Sequence, residues 1–105
     1  MKPEELNRRF ATLTTAHLAD ACIRAGVPVR CGPAGLRAVA DGSRLAGRVV
    51  PARHTGSVDV FLEAFEQADP GDVLVVDNGG RLDESCVGDL VVLEAAAAGL
   101  AGVVI

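Results

Sequence analysis

A glycine followed by an acid, Gly88-Asp89, stands at the start of a stretch with helical character. The loop before it contains Asp77-Asn78-Gly79-Gly80 and follows the short apolar run Val73 to Val76. In an open parallel sheet, ligands bind beyond the carboxyl ends of the strands, where loops and helix N-termini meet. Free backbone N–H groups and the positive helix end hold a carboxylate or phosphate there. The sequence therefore predicts an anion site at Gly88, Asp89, Leu90 and Val91, where Gly88 lets the ligand approach closely.

The side chains around this pair allow simpler roles as well. Asp89 alone is a weak signal, because an Asp in the first turn of a helix usually serves the helix dipole or a cap. Asp77 is a candidate for acid–base chemistry or contacts to metal-bound water, although turn residues of this type are usually solvated. Cys86 lies close to the proposed site, but no nearby His is evident, so we expect an unreactive thiol.

Three basic residues need an explanation of their own. Arg48 interrupts an apolar stretch and requires a partner, for which Asp20 and Asp77 are the candidates; a buried ion pair is favoured over a ligand contact. His54, in a glycine-containing loop, either stabilises that loop or lines a pocket shared between subunits. For His17, near a helix start, a hydrogen-bonding role is favoured over a role as a ligand.

Apolar periodicity and boundary residues predict alternating helices and strands. Thr14 or Thr15 is expected to cap the second helix and Gly26 to close it, while Ser57 caps the third. Pro51 places its strand at an edge or bulge. Strand, helix and strand in the last third predict a βαβ unit with parallel strands. The predicted helices run from Pro3 to about Phe10, from the Thr14 or Thr15 cap to Gly26, from the Ser57 cap to Asp69-Pro70-Gly71, and from about Gly88 to Ala98; the predicted strands are 45–52, 73–76 and 102–105.

Length and composition set the limits of the function. The 105 residues make at most one domain, and the net charge of −4 with scattered arginines gives no basic face for nucleic acid. The longest apolar stretch, Val91 to Ile105, is interrupted by Glu94 and is too short to span a bilayer. Three cysteines without a C-x-x-C motif fit a reducing compartment. We expect a cytoplasmic protein that binds neither nucleic acid nor membrane.

Five segments of the chain together resemble a known family: Thr15 to Ala21, Leu45 to Val50, Pro70 to Gly80, Gly88-Asp89-Leu90, and Ala98 to Ile105. Through these segments the chain resembles the RraA-like family along nearly its whole length. The resemblance implies an α/β protein with the three-layer ββα swivelling-domain fold and a C-terminal βαβ unit, with residues 1–105 forming a single domain.

The family's aldolase signature is an acid after glycine, about twenty residues, and then Arg-Asp. Counted from Asp89, the pair falls at positions 110 and 111, after Ile105. We therefore expect that the chain lacks the C-terminal part of its domain and is inactive by itself. The resemblance also implies that the ligand for a divalent metal, Mg²⁺ or Mn²⁺, lies beyond Ile105 and that no metal ligand lies within the chain.

The resemblance implies a function in one of two classes. RraA-like proteins include a class II aldolase that cleaves 4-hydroxy-4-methyl-2-oxoglutarate to pyruvate and decarboxylates oxaloacetate, and a protein inhibitor of ribonuclease E. In the lyase, the backbone of Gly88 to Val91 would bind the substrate's pyruvyl carboxylate, and Asp89 would act near metal-bound water. Asp77, Arg48 and His54 are candidate supporting residues. The family also implies a homotrimer or a dimer of trimers; the alternative function is a non-catalytic regulator that binds a ribonuclease.

Overall fold

A three-stranded parallel sheet with four helices forms the framework of the protein, and the computed structural model describes all 105 residues. No helix has the length and apolar character needed to cross a membrane. The predicted α/β class and the order of elements are confirmed, whereas the swivelling-domain layering stays a prediction. The helices are α1 (Pro3–Phe10), α2 (Thr15–Ala25), α3 (Asp59–Gln67) and α4 (Asp89–Ala97), and the strands are β1 (Val49–Arg53), β2 (Val73–Asp77) and β3 (Gly102–Val104).

Two consecutive βαβ units build the sheet, with α3 joining β1 to β2 and α4 joining β2 to β3. Parallel neighbours need such crossovers, because a tight hairpin cannot return the chain to the same end of the sheet. The strand order is β1-β2-β3, so β2 is the central strand. All three strands consequently end on the same side, here called the carboxyl end of the sheet, and begin at the amino end.

The pairing register of β1 and β2 is set by an offset of 24 residues. Val49 faces Val73 at the first pair of the ladder, and Arg53 faces Asp77 at the last. The same offset brings Arg48 to Asp72 one position before the ladder and His54 to Asn78 one position after it. Together with Arg53 and Asp77 at the last position of the ladder, these residues form three polar pairs.

The hydrophobic core lies between the sheet and α3. Phe61 of α3 and Leu74 of β2 are completely buried, and α3 also buries Ala64. Their neighbours in the core are small side chains, as the predominance of Ala, Val and Leu in the sequence suggests. The other members of the core cluster are Val50, Ala52 and Val76.

The first strand starts later than predicted, at Val49 instead of residue 45. Leu45 lies before the β1–β2 ladder and packs over Gly102 of β3, where an added Cβ would meet Leu45 Cδ1 at 2.7 Å. This apolar side chain therefore packs on the sheet without being part of β1. The expectation for Pro51 is confirmed, since β1 has a neighbour on one side only.

The predicted boundaries of α2 are confirmed in their chemistry. Thr14 Oγ1 accepts the N–H of His17, and His17 Nδ1 accepts the N–H of Thr14, so the two residues form a capping box. His17 therefore has the hydrogen-bonding role favoured for it. Gly26 closes α2 in the left-handed conformation, with φ 67°. The expectation for Ser57 was wrong, because Val58 is the N-cap of α3 and provides no side-chain cap; the Ser57 hydroxyl, which lies just before the helix, accepts the N–H of Asp59.

Arg48 corrects an expectation from the sequence, because it pairs with neither Asp20 nor Asp77. Its guanidinium donates to Asp72 at 3.0 and 2.7 Å and to Asp69 at 2.8 Å. Asp72 is completely buried, and the hydrogen bonds from Arg48 hold the pKa of its carboxyl below the usual value. The pairs lie at the amino end of the sheet, opposite the carboxyl end where Gly88 was expected to bind its ligand.

Replacing Asp72 by Asn keeps the shape of the side chain and removes its charge. We expect a loss of about 2 kcal/mol in the free energy of unfolding at pH 7, because a hydrogen-bonded ion pair becomes a neutral contact. A carboxyl with a lowered pKa contributes its full stability above the unfolded pKa of about 3.9 and loses it as the pH falls toward the folded pKa.

Urea unfolding between neutral and acidic pH should therefore show the difference between wild type and Asp72→Asn shrinking below about pH 4. Asp69→Asn is the matched control, since Asp69 is exposed and pairs with the same arginine; we expect a much smaller effect. A difference that stays constant down to strongly acidic pH would contradict the role assigned to the Arg48–Asp72 pair.

Candidate functional site

The start of α4 is a helix N-terminus without a side-chain cap. Gly88 occupies the N-cap position in extended conformation and contributes no side-chain oxygen, in contrast to Thr14 at the start of α2. The backbone N–H groups of Gly88, Asp89 and Val91 donate to no acceptor in the protein. Unpaired donors at the positive end of a helix form an anion-binding arrangement.

Asp89 places its carboxylate against this helix start. Its Oδ1 accepts the N–H of Leu90 at 2.9 Å, and its Oδ2 makes no hydrogen bond. The side chain thus satisfies one backbone donor, as the simple helix-dipole role requires. Asp89 nevertheless remains exposed, with one oxygen open to solvent and available to a ligand or to a proton.

The four residues predicted to bind the anion lie together, at the surface. Gly88, Asp89 and Leu90 are exposed, whereas Val91 is half-buried and packs against the core cluster. Val91 therefore anchors the first turn of α4, and the preceding residues present their backbone to solvent. An added Cβ on Gly88 would meet no atom within 4 Å, so the space above the glycine is open.

Four polar residues, here called the carboxyl-end cluster, join the ends of β1 and β2 to the loop that leads to α4. Its members are His54, Asn78, Arg81 and Glu84. Arg81 Nη2 donates to the carbonyl oxygen of His54 at 2.6 Å, and Asn78 Nδ2 donates to the carbonyl oxygen of Arg81 at 2.9 Å. Arg81 Nη1 lies 3.4 Å from the Glu84 carboxylate. These contacts fix the loop relative to the sheet.

His54 is the buried member of the carboxyl-end cluster. Its ring stacks on Phe61 with centroids 5.5 Å apart, and its Nδ1 lies 3.2 Å from Asn78 Oδ1. Its backbone N–H donates to the carbonyl oxygen of Asp77 at 2.9 Å. The structure thus gives His54 the loop-stabilising role favoured from the sequence; its position in a pocket between subunits stays a prediction.

Asp77 sits in the turn after β2 and stabilises that turn. Its Oδ1 accepts the N–H of Gly79 at 2.9 Å, and its Oδ2 lies 3.3 Å from Arg53 Nε. The hydrogen bond from Gly79 is the main cause that lowers the pKa of Asp77, with the charge of Arg53 acting in the same direction. The carboxylate is therefore ionised at neutral pH, and its contacts are those of a turn residue.

Cys86 lies just before the start of α4 and is half-buried against the core cluster. Burial raises the pKa of its thiol, and the nearby charge of Arg81 only partly offsets this effect. At neutral pH the sulfur is protonated and therefore a weak nucleophile. The structure agrees with the expectation of an unreactive thiol.

Arg81 is the member of this region that the sequence analysis missed. Its Nε is buried without a hydrogen-bond partner, while its other two nitrogens hold the carboxyl-end cluster together. The sequence offers only one indication of its role, which is that Glu84 follows Arg81 by three residues and balances its charge. The contacts to His54 and Asn78 depend on the register of β1 and β2, which the sequence pattern does not reveal.

The chemistry of the side chains limits what the chain can hold on its own. No group of three or more His, Cys, Asp and Glu side chains is placed to bind a metal ion. Asp89 offers one free carboxylate oxygen at the start of α4. The residues present do not form a metal centre by themselves.

A cavity of about 630 Å³ lies elsewhere, between α1, the start of α2 and residues 43–46. Its walls are mainly apolar, and Arg44 is its only charged residue. Arg44 donates to the carbonyl oxygen of Leu13, which joins the two walls. The cavity includes no residue of the α4 start or of the carboxyl-end cluster and is separate from the candidate site.

Comparison with known families assigns the chain to one of them. The family model described as RraA-like, Aldolase/RraA, matches residues 15–105. No curated protein and no solved structure matches the chain. The match covers most of the chain, including the whole sheet, the carboxyl-end cluster and the start of α4. The chain therefore belongs to the RraA-like family.

Replacing Arg81 by Ala removes the side chain that joins the two strand ends. We expect faster hydrogen exchange at the backbone amides of His54, Gly79 and Arg81, by about tenfold or more, because these hydrogen-bonded donors lie in the region that the Arg81 side chain holds together. Hydrogen-exchange mass spectrometry measures this directly. Arg53→Ala is the matched control, since Arg53 is a neighbouring but strongly exposed arginine; equal effects of both substitutions would contradict the cross-linking role of Arg81.

Proposed function

We propose that this RraA-like protein is a divalent-metal-dependent lyase that cleaves small 4-hydroxy-2-oxo acids, of the 4-hydroxy-4-methyl-2-oxoglutarate type, to pyruvate. Decarboxylation of oxaloacetate is the expected side activity, because both substrates carry a carboxylate next to a keto group. The observation that carries the proposal is the uncapped start of α4, where unpaired N–H groups stand beside Asp89. Family membership supports an aldolase or a regulator at the level of the family.

Substrate binding follows from the geometry of the helix start. The carboxylate next to the keto group receives the N–H groups of Asp89 and Val91, and it competes with the Asp89 side chain for the N–H of Leu90. Hydrogen bonds to a charged acceptor contribute about 1.5–3 kcal/mol each. The absence of a side chain at Gly88 leaves room for the ligand to reach the backbone.

Asp89 is the residue to which we assign proton transfer. When a substrate carboxylate takes the N–H of Leu90, the Asp89 side chain is released and both of its oxygens become available. A carboxylate in this position can accept the proton of the substrate's 4-hydroxyl group as the carbon–carbon bond breaks. Asp77 and His54 support this arrangement indirectly, by holding the loop that precedes α4.

The proposed chemistry does not use a Schiff base. Lys2 is the only lysine in the chain and stands at the N-cap of α1, in the N-terminal part of the molecule. A divalent cation, Mg²⁺ or Mn²⁺, would instead polarise the keto group and stabilise the negative charge that develops there. The residues present do not provide its site, and the roles given to Gly88 to Val91 do not depend on its position.

We also propose that the protein assembles as a homotrimer or a dimer of trimers and acts in the cytoplasm. The surface of α4 supports self-assembly, because its side chains other than Asp89 and Glu94 are apolar. Leu90, Val92 and Leu93 are all exposed in the single chain. Exposed apolar side chains that lie together on a surface are suited to contact with another chain.

Pyruvate release tests the lyase proposal. The protein expressed from its native reading frame is assayed with Mg²⁺ or Mn²⁺ and a 4-hydroxy-2-oxo acid. Asp89→Ala should lower kcat by about 100-fold or more, the usual contribution of a general base. Asp83→Ala, which removes another exposed acid from the same region, should leave kcat unchanged.

Equal activity of the wild type and Asp89→Ala would refute the role given to Asp89. A native protein that releases no pyruvate under these conditions, yet inhibits a ribonuclease, would instead favour the regulator as the function of this chain.

A further inference from the structure

A segment with unbalanced positive charge follows the middle of α2. Residues 23–39, here called the basic arm, contain Arg24, Arg30 and Arg37 and no Asp or Glu. None of these three arginines forms an ion pair in the structure. The chain as a whole is acidic, so the basic arm is a local exception to its charge.

The basic arm also carries apolar side chains, and it lies at the surface of the protein. From Val27 to its end it contains neither helix nor strand, and every residue is exposed. Connections this long without secondary structure are usually binding segments or linkers. Val39 is fully exposed, and the other exposed large apolar side chains of the arm are Ile23, Val27, Val29 and Leu36.

The outward face of α3 has the opposite charge. Asp59, Leu62, Glu63 and Glu66 follow the i, i+3, i+4, i+7 pattern of one helix face, and all four are exposed. The helix carries no Lys or Arg, and none of its three carboxylates is in an ion pair. Leu62 and the preceding Val58 add exposed apolar surface to this face.

We infer that the basic arm of one copy docks on the outward face of α3 in a second copy of the chain. Three unpaired cations match three unpaired carboxylates, and both surfaces carry exposed apolar side chains between the charges. Within one chain the two surfaces form no ion pair with each other. Complementary charge selects the partner and its orientation, while the apolar contacts contribute the larger part of the affinity.

Docking of this kind joins two different surfaces. Each copy gives its arm to one neighbour and receives an arm from another, so the contacts close as a ring when the rotation between copies permits. The inference rests on the self-assembly proposed above but not on the lyase chemistry. Nucleic acid is the less suitable occupant, because the arm contains no aromatic residue for stacking and the chain is acidic overall.

Charge reversal in two matched variants tests the docking. One variant combines Arg30→Glu with Arg37→Glu, and the other combines Glu63→Arg with Glu66→Arg; all four residues are exposed, so the fold should tolerate the changes. Sedimentation velocity and native mass spectrometry of the 105-residue chain should show self-association that each variant weakens by about tenfold or more. Mixing the two variants should restore association in pairs, because the reversed arm of one matches the reversed α3 face of the other; a closed ring of three is not expected, since it would keep one contact between two copies of the same variant.

Arg8→Glu with Arg9→Glu is the control, since it makes the same charge change on the exposed surface of α1 and should leave assembly unchanged. Association of the wild type should weaken as salt rises from about 0.05 to 0.5 M. The inference is overturned if the wild type stays monomeric, if either reversed variant assembles like the wild type, or if the mixture does not associate. Binding of an RNA oligonucleotide that requires Arg30 and Arg37, without self-association, would also overturn it. Pyruvate release by the protein expressed from its native reading frame shows separately whether the lyase proposal holds.

Discussion

The 24-residue offset between β1 and β2 is the constraint on which both ends of the sheet depend. Parallel pairing in this register puts Arg48 beside the buried Asp72 at the amino end. At the carboxyl end it puts His54 beside Asn78, where Arg81 bonds to the carbonyl of His54. A shift of one residue would turn the side chains of β1 to the other face of the sheet and separate all these partners.

The carboxyl-end contacts connect the register to the candidate site. The loop after β2 is held against the end of β1 by Arg81 and Asn78, and it delivers the chain to Gly88. Val91 packs against the core and fixes the first turn of α4. The unpaired N–H groups of this turn are thus presented in a defined position by the sheet, as binding of a small carboxylate requires.

Much of the fold could be predicted from the sequence, because helices, strands and caps depend on local patterns. Thr14 and Gly26 have the boundary roles expected of them, and Gly88 begins the predicted helix. The contacts of Arg48 and Arg81 were not predictable in this way, since hydrophobic periodicity gives the faces of strands but not the residues that lie opposite each other. Leu45 shows a second limit of prediction from the sequence, because its apolar character favours a strand, whereas the side chain lies before β1 and makes a tertiary contact with Gly102.

The candidate site was predictable in its location but not in its details. A glycine and an acid at a helix start indicated an anion site, whereas the bond from Leu90 N–H to Asp89 Oδ1 and the unpaired donors around it required the structure. The proposed function requires that these donors bind the carboxylate of an oxo acid. Titration of the ¹⁵N-labelled protein with pyruvate, followed through its amide resonances by NMR, tests this binding. We expect saturable shifts that are largest at residues 88–91 and that weaken in Gly88→Ala, whose added Cβ the fold accommodates; the absence of shifts there, or larger shifts at the start of α2, would contradict carboxylate binding by these donors.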